Sequence, residues 1–96
     1  MRIRISLDAP GAYSIVQWVE MRGRYHAFRL ALLQRPHPNC PSVQAWYVVT
    51  QERRLWLGFW PRWEQAPIGP GYGSAQGGNE AFWTEAFCLA NRVNRP

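Results

Sequence analysis

The sequence predicts an α+β fold, an antiparallel sheet of about four to five strands with one C-terminal helix packed on one of its faces. Three observations lead there. Arg2 to Leu7 alternates apolar and polar residues with the period of a strand, Ile3, Ile5 and Leu7 against Arg2, Arg4 and Ser6. The stretch from Val43 to Trp63, VQAWYVVTQERRLWLGFWPRW, is rich in β-branched and aromatic residues. Only the last segment carries a helical stripe, Phe82, Ala86, Leu89 and Val93.

Taken in order, Arg2 to Leu7 reads as a half-buried strand near an edge, ended by Asp8-Ala9-Pro10-Gly11. Between Ala12 and Gln34 a helix and a hairpin compete. The β-branched Ile15, Val16 and Val19 favour a hairpin of Tyr13 to Met21 with Arg24 to Leu33, turning at Arg22-Gly23. That hairpin aligns Phe28, Leu30 and Leu32. Residues 35–42 form a proline-rich connector, because Pro36, Pro38 and Pro41 remove backbone donors and fix φ.

The tryptophan-rich stretch then predicts two strands joined at Gln51-Glu52. This turn puts Trp46, Val48, Leu55, Leu57 and Phe59 on one face as core. It puts Tyr47, Val49, Arg54, Trp56 and Trp60 on the other. A Gly/Pro-rich loop is expected over 61–78, mobile in its glycine-rich half, and a helix over about 79–94 with Asn79 as N-cap. Trp83, Phe87 and Ala90 would widen the buried stripe, and Cys88 would lie on its inner part.

Ninety-six residues suffice for a single domain with one core. The formal charge of +5 comes from eleven arginines, with lysine absent. Guanidinium suits phosphate forks and aromatic stacking, while a high-GC genome yields the same bias without a function. No apolar run reaches the ~20 residues of a membrane span, and no signal-peptide pattern opens the chain, so a cytoplasmic protein with no membrane partner is expected. Cys40 and Cys88 are then expected as free thiols.

The inventory of reactive groups is thin. His37-x-x-Cys40 has ligand-like spacing but no second pair to complete a zinc site, so no metal and no cofactor is expected. Asp8 is the only aspartate, the glutamates are scattered, and the glycine run before the helix lacks the Gly-Lys-Ser/Thr ending of a phosphate loop. No catalytic residue is assigned and the protein is expected not to be an enzyme; a small enzyme is the least favoured reading.

Binding is the preferred reading. Tyr47, Arg54, Trp56, Trp60, Arg62 and Trp63 are the expected contact residues, since interface centres are enriched in Trp, Tyr and Arg. The expected partner is a protein or nucleoprotein complex, with a homodimer through the aromatic sheet face as one form. A phage or mobile-element accessory or inhibitor protein would fit so small and motif-poor a chain. The alternative is direct nucleic-acid binding by the same residues, through base stacking and arginine–phosphate contacts.

Overall fold

Alternation along the chain builds a meander, and the helix then closes one of its faces. The computed structural model describes residues 5, 12–56, 58 and 60–96, the side chains of positions 55, 56 and 60 excepted. Four strands, β1 (Ser14–Arg22), β2 (Ala27–His37), β3 (Cys40–Trp56) and β4 (Trp60–Gln65), are followed by helix α1 (Ala75–Arg92). The strands lie in sequence order and every neighbouring pair is antiparallel. The α+β architecture expected from the sequence is therefore present. The expected strand over Arg2 to Leu7 falls outside the described residues except for Ile5, which is buried.

Residues 12–34 form the hairpin, not a helix. Its turn is longer than Arg22-Gly23 alone, because Arg22 pairs with Ala27. A register shift between Ile15 and Gln17 makes Val16 an extra residue in the edge strand. Its effect is to change the phase of β1. Ile15 lies opposite Leu33, whereas Val19 and Met21 join the face of Leu30 and Phe28.

The core is double. On one face Phe28, Leu30 and Leu32 pack under Phe82, Ala86, Leu89 and Val93, flanked by Val19, Met21, Trp46 and Val48. On the other, Ala31, Leu33 and Val49 gather with Ile5, Ile15, Tyr47 and Ile68. The helical stripe of Phe82, Ala86, Leu89 and Val93 is buried as expected. Its widening is not: Trp83 is 55% and Phe87 72% exposed, and Ala90 and Cys88 are also exposed. A helix lying on a flat sheet buries one narrow stripe, and residues a quarter-turn away from it stay in water.

Three boundaries differ from those expected. First, residues 35–42 are not a connector: β2 runs to His37, a turn occupies 38–39, and β3 begins at Cys40. Among the described residues Pro36 has a strand on one side only, because β1 begins opposite Gln34, and it lies beside a register irregularity, where proline is tolerated.

Second, there is no turn at Gln51-Glu52. β3 continues for 17 residues, and the chain reverses around Gly58, whose φ of 80° is open to glycine without strain. The polar run 50–53 stays extended because its side chains find partners: Gln51 Nε2 donates to Gln65 Oε1 at 3.3 Å, and Arg54 bridges the facing carboxylates of Glu52 and Glu64.

Third, residues 61–78 are not one loop. Residues 61–65 belong to β4, where Pro61 is acceptable on an outer strand. Beyond it the chain keeps to the edge of β3: Ala66 donates to the Thr50 carbonyl at 2.9 Å, and Tyr72 and Trp46 exchange backbone hydrogen bonds of 2.7 and 2.9 Å.

The helix starts at Ala75, with Ser74 as N-cap in place of Asn79; the Ser74 hydroxyl accepts from the Gly77 N–H at 3.1 Å. Asn79 instead ties the helix to the edge strand, its Oδ1 accepting from Gln17 Nε2 at 2.6 Å. Gly78 lies where helix and sheet approach closest. A Cβ there would come within 2.7 Å of the Trp46 Cβ.

The far end of the helix is capped by the β1–β2 turn. The Val93 carbonyl accepts from the N–H groups of Tyr25 and His26 at 3.1 and 3.2 Å, and Asn94 Oδ1 accepts from the Arg24 N–H at 2.8 Å. A Cβ on Gly23 would fall onto the Val93 carbonyl. Gly23→Ala is therefore expected to lose about 1–3 kcal/mol in chemical denaturation, the range for forcing atoms into a filled site. Gly69→Ala, where nothing lies within 4 Å, is expected to stay within about 0.5 kcal/mol of the parent.

Candidate functional site

The helix covers only the face of Phe28, Leu30 and Leu32. On the opposite face, the half towards the β2–β3 turn is closed by Ile5 and Ile68. The other half carries a polar and aromatic cluster drawn from all four strands. Strand pairing sets Glu20 against Arg29, Arg29 against Gln51, Gln51 against Gln65, and Arg53 against Trp63.

At its centre the Arg29 guanidinium lies 3.9 Å from the centroid of the Trp63 ring. Arg29 Nε donates to Glu20 Oε1 at 2.9 Å, and Arg22 Nε donates to the other oxygen, Oε2, at 3.1 Å. The side chains of Arg29 and Glu20 are each 17% exposed. A cation over an indole gains about 0.5–1 kcal/mol in water and ~2 or more when desolvated, so this half-buried stack is a stiff feature. Hydrogen bonds from Arg29 and then Arg22 hold the Glu20 carboxyl below its ordinary value, against a smaller opposing effect of burial. Beside the stack, two residues along β1, Trp18 remains 42% exposed.

The six residues expected to form a contact surface do not share one. Tyr47 belongs to the helix-free face, but its ring is structural. It packs with the second core, Gly71 lies against it, and Arg35 sits 5.6 Å from its centroid. Trp63 is on that same face, in the arginine stack. Arg54 is on the opposite face, and so is Arg62, its cross-strand partner. Trp56 and Trp60 face each other in the β3–β4 register.

The separation of Tyr47 from Arg54 has a simple origin. A two-residue turn at 51–52 would have put positions 47 and 54 on one face, and removing it returns every later residue of β3 to the other. Arg54 is moreover bridged by carboxylates, Glu64 Oε2 at 3.2 Å and Glu52 Oε2 at 3.4 Å. The second oxygen of Glu52 meets His26 Nδ1 at 3.2 Å, and His26 stacks on Phe28.

Trp18, Glu20, Arg29 and Arg53 were not among the expected contacts. The signal that would have found them is the β1–β2 register. A turn at Arg22-Gly23 pairs Glu20 with Tyr25, whereas the longer turn pairs it with Arg29.

The His37/Cys40 spacing also resolves into local structure. The two residues pair across the turn, His37 Nδ1 accepts from the Asn39 N–H at 3.1 Å, and Cys40 Sγ lies 3.6 Å from Ser42 Oγ. Among the described residues no three His, Cys, Asp or Glu side chains gather as a metal site, and no helix is long and apolar enough to cross a membrane.

The Glu20 cluster makes a testable contribution to acid stability. Its pKa is depressed in the folded state, so its stabilisation is complete above the unfolded glutamate value of about 4.3 and is lost as pH falls through the folded value. Glu20→Gln is expected to lower stability at pH 7 and to flatten the decline on acidification. Urea unfolding at pH 7 and pH 3 checks both effects.

Set against known proteins, no protein-family model, no curated protein and no solved structure matches this chain. The chemistry of the site alone carries the functional reading.

Proposed function

We propose that this chain is a non-enzymatic binding protein that docks a protein or nucleoprotein partner on the helix-free face, around Trp63, Arg29, Trp18 and Arg53. The observation that supports this reading is the Arg29–Trp63 stack clamped by Glu20, an amphipathic surface whose side chains are ordered before any partner arrives. Pre-ordering removes part of the entropy cost of association, about 0.5–1.5 kcal/mol for each long side chain immobilised. An exposed tryptophan next to fixed arginines is the composition found at the energetic centres of protein interfaces.

The carboxylates weigh against a phosphate track on this face. Glu20 sits between Arg22 and Arg29, and on the other face Glu52 and Glu64 take up Arg54. A surface that interleaves both signs suits a partner with its own mixed charges more than a uniform polyanion.

The reading is tested by affinity capture from the source cells with wild-type chain and three variants of matched unfolding midpoint. A retained partner should be lost with Trp18→Ala and with Arg53→Glu, and kept with Phe87→Ala on the outer side of the helix. Sedimentation of the purified chain reads out self-association: a dimer dispersed by Trp18→Ala would make the partner a second copy. A partner held equally by all variants would sink the assignment of this face.

A further inference from the structure

A cleft of about 290 Å³ opens at the β1–β2 turn, walled by Arg22, Arg24, Tyr25, His26 and Arg53. We propose that this cleft binds single-stranded nucleic acid, with Arg24 and Arg53 on the phosphodiester backbone and one unpaired base stacked on Tyr25.

The charge balance of the cleft differs from that of the rest of the surface. Arg24 and Arg53 have no carboxylate partner among the described residues, and Arg22 shares the single carboxylate of Glu20 with Arg29. The cleft therefore keeps an excess of exposed guanidinium, free to form charge-assisted hydrogen bonds to an oxyanion.

The backbone that carries these groups is fixed. The N–H groups of Gly23, Arg24, Tyr25 and His26 are all used, on the His26 carbonyl, Asn94 Oδ1 and the Val93 carbonyl. The same bonds cap the carbonyl end of the helix, which would otherwise oppose an anion. Recognition thus falls to the side chains.

Tyr25 supplies the base contact. It is 52% exposed, and the Arg24 guanidinium lies over its ring, 5.7 Å from the centroid, so charge and a half-exposed aromatic ring occur together. Stacking on a protein ring needs a base whose own faces are free, which a duplex does not offer. An acidic peptide would use the arginines and leave the ring idle.

This site shares no contact residue with the docking face except Arg53, and either reading can fail while the other stands. The test is fluorescence anisotropy of a fluorescein-labelled oligothymidylate with the full chain, at low and near-physiological salt. Saturable binding that weakens with salt is expected. Arg24→Ala and Tyr25→Leu should each cost about tenfold in affinity, the first through a lost charge-assisted hydrogen bond and the second through a lost base stack. Tyr25→Phe should remain within about twofold, because the stacking surface is intact.

Arg95→Ala, which removes the same charge from outside the cleft, and Trp18→Ala, from the docking face, should bind as wild type does. No saturable binding by wild type would overturn the proposal. So would equal losses with Arg24→Ala and Arg95→Ala, equal affinities for Tyr25→Leu and Tyr25→Phe, or a duplex bound as tightly as the single strand.

Discussion

Burial of Leu30, Ala31, Leu32 and Leu33, each 2% exposed or less, is the constraint on which the rest of the structure depends. A strand buried on both faces allows no slip, since moving by one residue would exchange leucines meant for the helix with those meant for the other cover. Its register with β3 sets Leu32 against Val48 and Ala31 against Val49, and thereby sends Trp46 and Val48 to one core and Tyr47 and Val49 to the other. The edge strand is brought into the same phase by one extra residue, Val16. Without that bulge, Ile15 and Val19 could not serve different cores.

A second interlock joins the helix to the far end of the sheet. The Val93 carbonyl takes two N–H groups of the β1–β2 turn, and the absence of a side chain on Gly23 lets them approach. At the other end, Gly78 lies against Trp46 and Asn79 holds Gln17. The helix is thus fastened to β1 at both ends, while its centre presses Phe82 and Leu89 into the core. The cleft at Tyr25 lies where the β1–β2 turn meets this helix cap.

Charge is distributed around this frame unevenly. Glu20, Glu52 and Glu64 hold Arg22, Arg29 and Arg54, while Arg24, Arg53 and Arg62 have no carboxylate partner among the described residues. Of these, the exposed pairs of Arg54 add little to stability, unlike the part-buried Glu20–Arg29 pair. Together the pairs divide the surface. One face carries an aromatic platform around Trp63, where Glu20 offsets part of the charge of Arg22, Arg29 and Arg53. The turn carries a cationic recess suited to an anion. A nucleoprotein partner would engage both.

The chain itself determined what repeats locally. The alignment of Phe28, Leu30 and Leu32 and the spacing of Phe82, Ala86, Leu89 and Val93 were legible, because side-chain direction follows from backbone period alone. The tertiary structure decided what depends on neighbours. A polar run such as Thr50-Gln51-Glu52-Arg53 looks like a turn until the neighbouring strands supply partners that keep it extended, Gln65 for Gln51 and, through Arg54, Glu64 for Glu52. That one difference in phase moved Arg54 away from Tyr47 and dispersed the expected contact surface. Trp83 and Phe87 stand outside the core for the same kind of reason: a helical stripe states which residues share a side, and only the width of the facing sheet states how many are covered.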